Sequence, residues 1–148
     1  MRTLLIAILL FVSVNCYSQF SVVTLVGQGI KLNSEFDYSI YQTSIMLTPT
    51  YQIGKVTLSE INTSFITDST TEFAIGISPA YILYDDTFEM KKFSISGVAM
   101  FGNYNKQYYG GGFGYETENM TIGLQYLYET KLKENLIQAV LGFKVYRE

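Results

Sequence analysis

The chain has 148 residues, with 10 Lys plus Arg against 13 Asp plus Glu, a formal net charge of −3, no histidine and one cysteine. Without histidine, His-dependent catalytic triads, imidazole general bases and His-ligated zinc cannot be built. A slightly acidic chain with no basic stretch cannot neutralise phosphates, which excludes nucleic acid as a partner.

Met1-Arg2-Thr3 precedes an apolar run from Leu4 to Val14, followed by Asn15-Cys16-Tyr17-Ser18-Gln19. The run is shorter than the ~20 residues a spanning helix needs. Small side chains at Cys16 and Ser18 suit cleavage by signal peptidase after Ser18. Residues 1–18 are therefore expected to be a cleavable signal peptide and 19–148 the mature domain. Ser13-Val14-Asn15 lacks the pattern of a lipidation site, and cleavage removes the sole cysteine together with any disulfide or thiol chemistry.

Period-two alternation bounded by turn-formers predicts strands near 20–32, 39–53, 55–66, 72–84, 88–103, 106–116, 119–130 and 135–146. The first has no clean polarity. The second places Tyr41, Ile45, Leu47, Pro49, Tyr51 and Ile53 on one face. If Glu60 points inward, the third turns Thr57, Ser59, Ile61, Thr63 and Phe65 outward. The fourth opposes Phe73, Ile75, Ile77, Pro79, Tyr81 and Leu83 to Glu72, Ala74, Gly76, Ser78 and Ala80. In the sixth, Gly110, Gly112 and Gly114 share a face, which leaves room for larger side chains across the barrel. The seventh sets Met120, Ile122, Leu124, Tyr126 and Tyr128 against Thr121, Gly123, Gln125 and Glu129, and the eighth sets Ile137, Ala139, Leu141, Phe143 and Val145 against Gln138, Gly142 and Lys144. Residues 131–143 also fit a helix, but Gly142 and the β-rich tail favour a strand.

The polar faces are mostly Ser, Thr, Gly and Gln, while charge gathers in short hinges such as Gly54-Lys55, Asp68-Ser69-Thr70, Asp85-Asp86-Thr87 and Lys131-Leu132-Lys133-Glu134. A soluble sheet usually decorates its polar face with charge, whereas a small membrane barrel turns an uncharged polar face inward and an apolar face to lipid. Eight hairpin-joined strands can close and leave no edge, as lipid requires. The implied fold class is all-β: an eight-stranded antiparallel up-and-down transmembrane β-barrel.

Same-face aromatics recur near strand ends, in the pairs Tyr41 with Tyr51, Phe73 with Tyr81, Phe93 with Phe101 and Tyr109 with Tyr115, joined by Tyr128 and Phe143. At ~3.3 Å per residue and ~40° tilt, eight to ten residues span roughly 20 to 25 Å, the height between the aromatic girdles of an outer-membrane barrel. Ile45-Met46-Leu47-Thr48-Pro49-Thr50-Tyr51 echoes Ile75-Gly76-Ile77-Ser78-Pro79-Ala80-Tyr81, and each proline predicts a bulge or a lost ladder bond. Glu60 is the one charge well inside a predicted span, and it is expected to join Gln42, Gln125, Gln138 and Lys144 in an interior polar network. The glycine-rich Tyr108 to Tyr115 lacks the helix and the Lys-Ser/Thr of a phosphate loop. No catalytic, metal or cofactor site is indicated.

These features resemble the small eight-stranded outer-membrane barrels, the group of OmpX and the OmpA membrane domain, over roughly residues 20–146. The last strand, Ile137 to Tyr146, is similar to the terminal strand read by the outer-membrane assembly machinery, and Gln19 with the Gly-Phe-Lys-Val-Tyr ending is similar to barrels of the Bacteroidota. The resemblance implies Sec export to the outer membrane of a Gram-negative cell, outer-membrane lipid as surroundings, a monomer, and a non-enzymatic structural or interaction role. Arg147 and Glu148 after the final aromatic, and the short loops, depart from the pattern. The alternative is a secreted lipocalin-like barrel that holds an apolar ligand inside.

Overall fold

The computed structural model describes residues 19–33, 39–86 and 88–147. The expected signal peptide lies outside them. Eight strands follow in order: β1 (Gln19–Leu32), β2 (Ser39–Ile53), β3 (Val56–Ile66), β4 (Thr71–Asp86), β5 (Lys91–Gly102), β6 (Gln107–Glu116), β7 (Met120–Glu129) and β8 (Glu134–Arg147). Each pairs antiparallel with its chain neighbour, and β8 returns to β1 to close an up-and-down barrel. The helical alternative for 131–143 gives way to β8. Pairing on both sides explains this, since a helix there would leave β1 and β7 as open edges.

One hydrogen-bonded row shows how the barrel closes. It starts at Gln19, passes Gln52, Thr57, Ala80, Ser96, Gly112, Gln125 and Gln138, and re-enters β1 at Gly29, ten residues further along. That offset over eight strands corresponds to a tilt of about 40° and an interior just wide enough for side chains to fill. The terminal end of the barrel carries the start of β1, the end of β8 and the 54–55, 88–90 and 117–119 turns. The opposite end, called the loop end below, carries the 67–70, 103–106 and 130–133 turns.

Local chemistry sets the strand limits. Gly54, at φ 58, opens a two-residue turn in which Ile53 pairs directly with Val56, the II′ pattern that favours glycine at its first position. β5 begins at Lys91 rather than 88 because the Asp86 carboxylate accepts the N–H groups of Phe88 (3.0 Å) and Glu89 (3.2 Å), which holds a turn there. Each proline interrupts one ladder. The β2–β3 pairing breaks between Leu47↔Asn62 and Thr50↔Ser59, at Pro49, and the β4–β5 pairing breaks between Ile77↔Ala99 and Ala80↔Ser96, beside Pro79. At Gly110 a Cβ would lie 1.9 Å from the Tyr126 carbonyl oxygen. This glycine therefore serves close strand approach rather than space for side chains across the barrel.

β3 corrects the expected facing. Ile53 is exposed on the outer face, so the two-residue turn puts its partner Val56 outside too, and alternation carries Leu58, Glu60 and Asn62 after it. Ile61, Thr63 and Phe65 are buried inside. In β1, Val23, Gly27 and Gly29 face in while Val26, Gln28 and Ile30 face out. This strand lacks clean polarity because apolar residues occupy both faces.

Candidate functional site

The interior has two unlike halves. Toward the loop end, Met46, Ile61, Phe65, Val98, Met100 and Leu127 form the centre of a buried apolar plug, with the Phe65 and Tyr108 rings 5.2 Å apart. Above it sit paired charges. Lys106 makes an ion pair with Glu72, whose other oxygen accepts the Tyr108 hydroxyl at 2.8 Å. Lys31 lies 2.6 Å from Glu134. The buried Glu129 carboxylate accepts the backbone N–H groups of Lys131 (2.8 Å) and Leu132 (3.1 Å) and so fixes the last turn. Each of these buried charges is matched, as a low-dielectric interior requires.

Toward the terminal end the interior opens into a cavity of about 290 Å³, lined by Thr48, Thr50, Ser59, Ser78, Ser94 and Ser96 among others. At its mouth Lys92 donates to Gln52 (2.6 Å), and Lys144 lies 3.1 Å from Glu116 and donates to the Thr117 carbonyl (3.2 Å). The lining mixes these hydroxyls with apolar side chains such as Val23, Leu25, Met46, Ile82 and Val140, and Lys144 at the mouth is paired with Glu116. It can hold water or a neutral polar molecule. It presents no paired carboxylates or activated nucleophile.

Of the residues expected to form one polar network, the structure brings Gln125 and Gln138 together. The Gln138 amide donates to Gln125 at 2.6 Å and its oxygen accepts from Ser44 at 2.8 Å. Gln42 also points inward. It flanks Gly29 from β2 while Gln138 flanks it from β8, yet its Oε1 has no partner among the described residues. Lys144 sits apart, at the cavity mouth. Glu60 is a correction: it lies outside, exposed, because the β2–β3 turn fixes its parity. Sequence reasoning missed Ser44 and the Glu72–Lys106, Lys31–Glu134 and Glu129 groups. Their inward parity was the available signal, but only the register brings Glu72 and Lys106, thirty-four positions apart, into contact.

On the outside, Tyr41, Phe73, Phe101 and Tyr109 are exposed near the loop end, joined by half-buried Tyr128, while Tyr51, Tyr81, Phe93, Tyr115 and Phe143 are exposed near the terminal end. Between the two rings the surface carries large apolar side chains in the open, including Ile75 at 62%, Leu124 at 55% and Ile77 at 53% exposure. Apolar exposure over this much of the surface far exceeds the patches a soluble monomer shows.

No family model matches the chain, and no curated protein is similar to it. Solved structures share the fold. The crystal structure of Neisserial surface protein A is similar with TM-score 0.52 at 16% identity, covering 84% of this chain and 96% of that one. A de novo designed transmembrane β-barrel is similar with TM-score 0.55 at 13% identity, covering 84% and 95%. Another designed barrel, solved by NMR in solution, matches with TM-score 0.53 at 12% identity, covering 86% and 96%. The fold is that of small eight-stranded transmembrane barrels.

Proposed function

We propose that the chain is an integral outer-membrane β-barrel with a structural or interaction role and no catalytic activity, exported by the Sec route with residues 1–18 as its leader. The observation that carries this reading is the outer surface: from β4 round to β8 it is an apolar band between two rings of aromatic residues, on a barrel whose charged side chains face mostly inward or sit at its ends. Lipid is the solvent that band suits. The plug in the loop half means that the cavity is a blind vestibule rather than a channel. The last strand, β8, is the segment the assembly machinery would read during insertion. A soluble lipocalin-like carrier would need a polar outside, the opposite of this surface.

Fractionation of expressing cells, followed by a denaturing gel of boiled and unboiled samples, tests this. The expected result is recovery in the outer-membrane fraction with a band that shifts on boiling, because a closed barrel resists detergent until heated. Recovery in the soluble periplasm refutes the proposal.

A further inference from the structure

Glu60 stands where a membrane barrel should carry none of its charge. On β3, Leu58 pairs with Tyr51 of the terminal-end aromatic ring and Ser64 pairs with Phe73 of the loop-end ring, so Glu60 and Asn62 fall between the two girdles. Their strand neighbours are apolar: Leu47 and Ile75 beside Asn62, and Ile77 beside Glu60 with Pro49 on its other flank. Asn62 Nδ2 donates to Glu60 Oε1 at 3.3 Å, which is one bond for a carboxyl that can accept about four. A carboxyl group left to hydrocarbon with so little company is costly, and such residues mark an interaction or a pathway. From β4 round to β8 the described outward residues between the girdles are apolar or glycine. The outward polar side chains are confined to the β1–β3 wall, where Thr24, Ser64 and the hydrogen-bonded Gln28–Thr43 pair join Glu60 and Asn62.

We propose that this wall is the interface with a second copy of the chain, with Glu60 and Asn62 at its centre. The proposal rests on the membrane reading above. The patch complements itself, since it holds acceptors on Glu60 and a second, unused N–H on Asn62. Two copies in one bilayer are related by a two-fold axis along the membrane normal, which keeps every residue at its own depth and sets the same patch against itself. Glu60 and Asn62 of one copy then meet Glu60 and Asn62 of the other. Leu47, Leu58, Pro49 and Ile77 form an apolar surround that excludes lipid from these bonds. On this proposal the chain is a dimer, in place of the monomer that the resemblance implies.

Thiol cross-linking in native membranes tests this, in a background carrying Cys16→Ser, which removes the only cysteine. Ser64→Cys reports on the β3 wall, and Leu124→Cys, four strands away on β7, reports on the opposite wall. The expected result is a product of twice the monomer mass from Ser64→Cys and little from Leu124→Cys. Adding Glu60→Leu and Asn62→Leu, which make the surface more lipid-compatible, should weaken dimerisation about tenfold. Glu60→Gln, which keeps an acceptor for the Asn62 N–H, should retain the dimer. Equal cross-linking at the two walls, or a yield unchanged by the leucine pair, overturns the proposal. So does a Ser64→Cys product of another mass, which would assign the wall to a different protein. The same membranes are run boiled and unboiled: a heat-shifting barrel without the β3 cross-link overturns the dimer alone, whereas recovery in the soluble fraction overturns both readings.

Discussion

Phe65→Ala should destabilise the barrel by about 3 to 5 kcal/mol, measured by urea unfolding in detergent or lipid, whereas Ser64→Ala should change stability by less than about 0.5 kcal/mol. Phe65 is 1% exposed and packs against Tyr108 at the heart of the plug, so truncation removes a large buried ring and leaves a hole in rigid surroundings. Ser64, one residue earlier, faces outward beside Phe73 and supports nothing inside. The contrast depends on which way β3 faces. Were Glu60 inside, Phe65 would lie on the lipid face and its loss would be mild. A small Phe65→Ala effect would therefore refute the assigned parity. Side-chain packing in the loop half supports the same conclusion, because Ile61 and Phe65 fill space that Glu60 could occupy only with a buried partner.

Leu124→Arg should cost roughly 2 to 4 kcal/mol, the penalty for an arginine at the bilayer midplane. Leu124 is 55% exposed, and on β7 it falls between the terminal-end ring and the loop-end Tyr128. Its partners are Phe113 and Ala139, neither of which offers a carboxylate. Ser94→Arg is the matched comparison. Ser94 lines the hydroxyl-rich cavity opposite Gly114, where the new side chain can extend toward water and Glu116, so the loss should be much smaller. Equal tolerance of the two variants would contradict the assignment of inside and outside.

Much of this architecture was legible in the chain, for identifiable reasons. Over most of their length β2, β4, β7 and β8 alternate because one face meets small polar side chains within the barrel while the other is largely apolar. The aromatic positions could be read because they recur on the outward parity near both ends of the strands. The plug was harder to see. Met46 lies between Ile45 and Leu47, and Leu127 between Tyr126 and Tyr128, so a strand apolar on both faces loses the alternation that would mark its inner side. The same effect obscured β1, where Val23 and Leu25 line the interior beside outward Val22 and Val26.

Glu60 teaches something different. The assumption that a charge within a span must point inward overrode a stronger local constraint, the two-residue Gly54-Lys55 turn. Once Tyr51 and Ile53 are outside, that turn admits one register, and Glu60 follows them. The ion pairs of the loop half were hidden for a topological reason. Lys106, in the turn between β5 and β6, reaches Glu72 of β4 only once the β4–β5 register is known.

The lipid-facing exterior is tested most directly by single spin labels at positions 122 to 126 of the barrel reconstituted in bilayers, with collisions scored against oxygen, which concentrates in lipid, and against a water-soluble nickel complex. The expected result is a two-residue period, with labels at 122, 124 and 126 favouring oxygen and labels at 123 and 125 shielded from it. Labels at 122, 124 and 126 that instead collide preferentially with the nickel complex would place that face in water and contradict the membrane barrel.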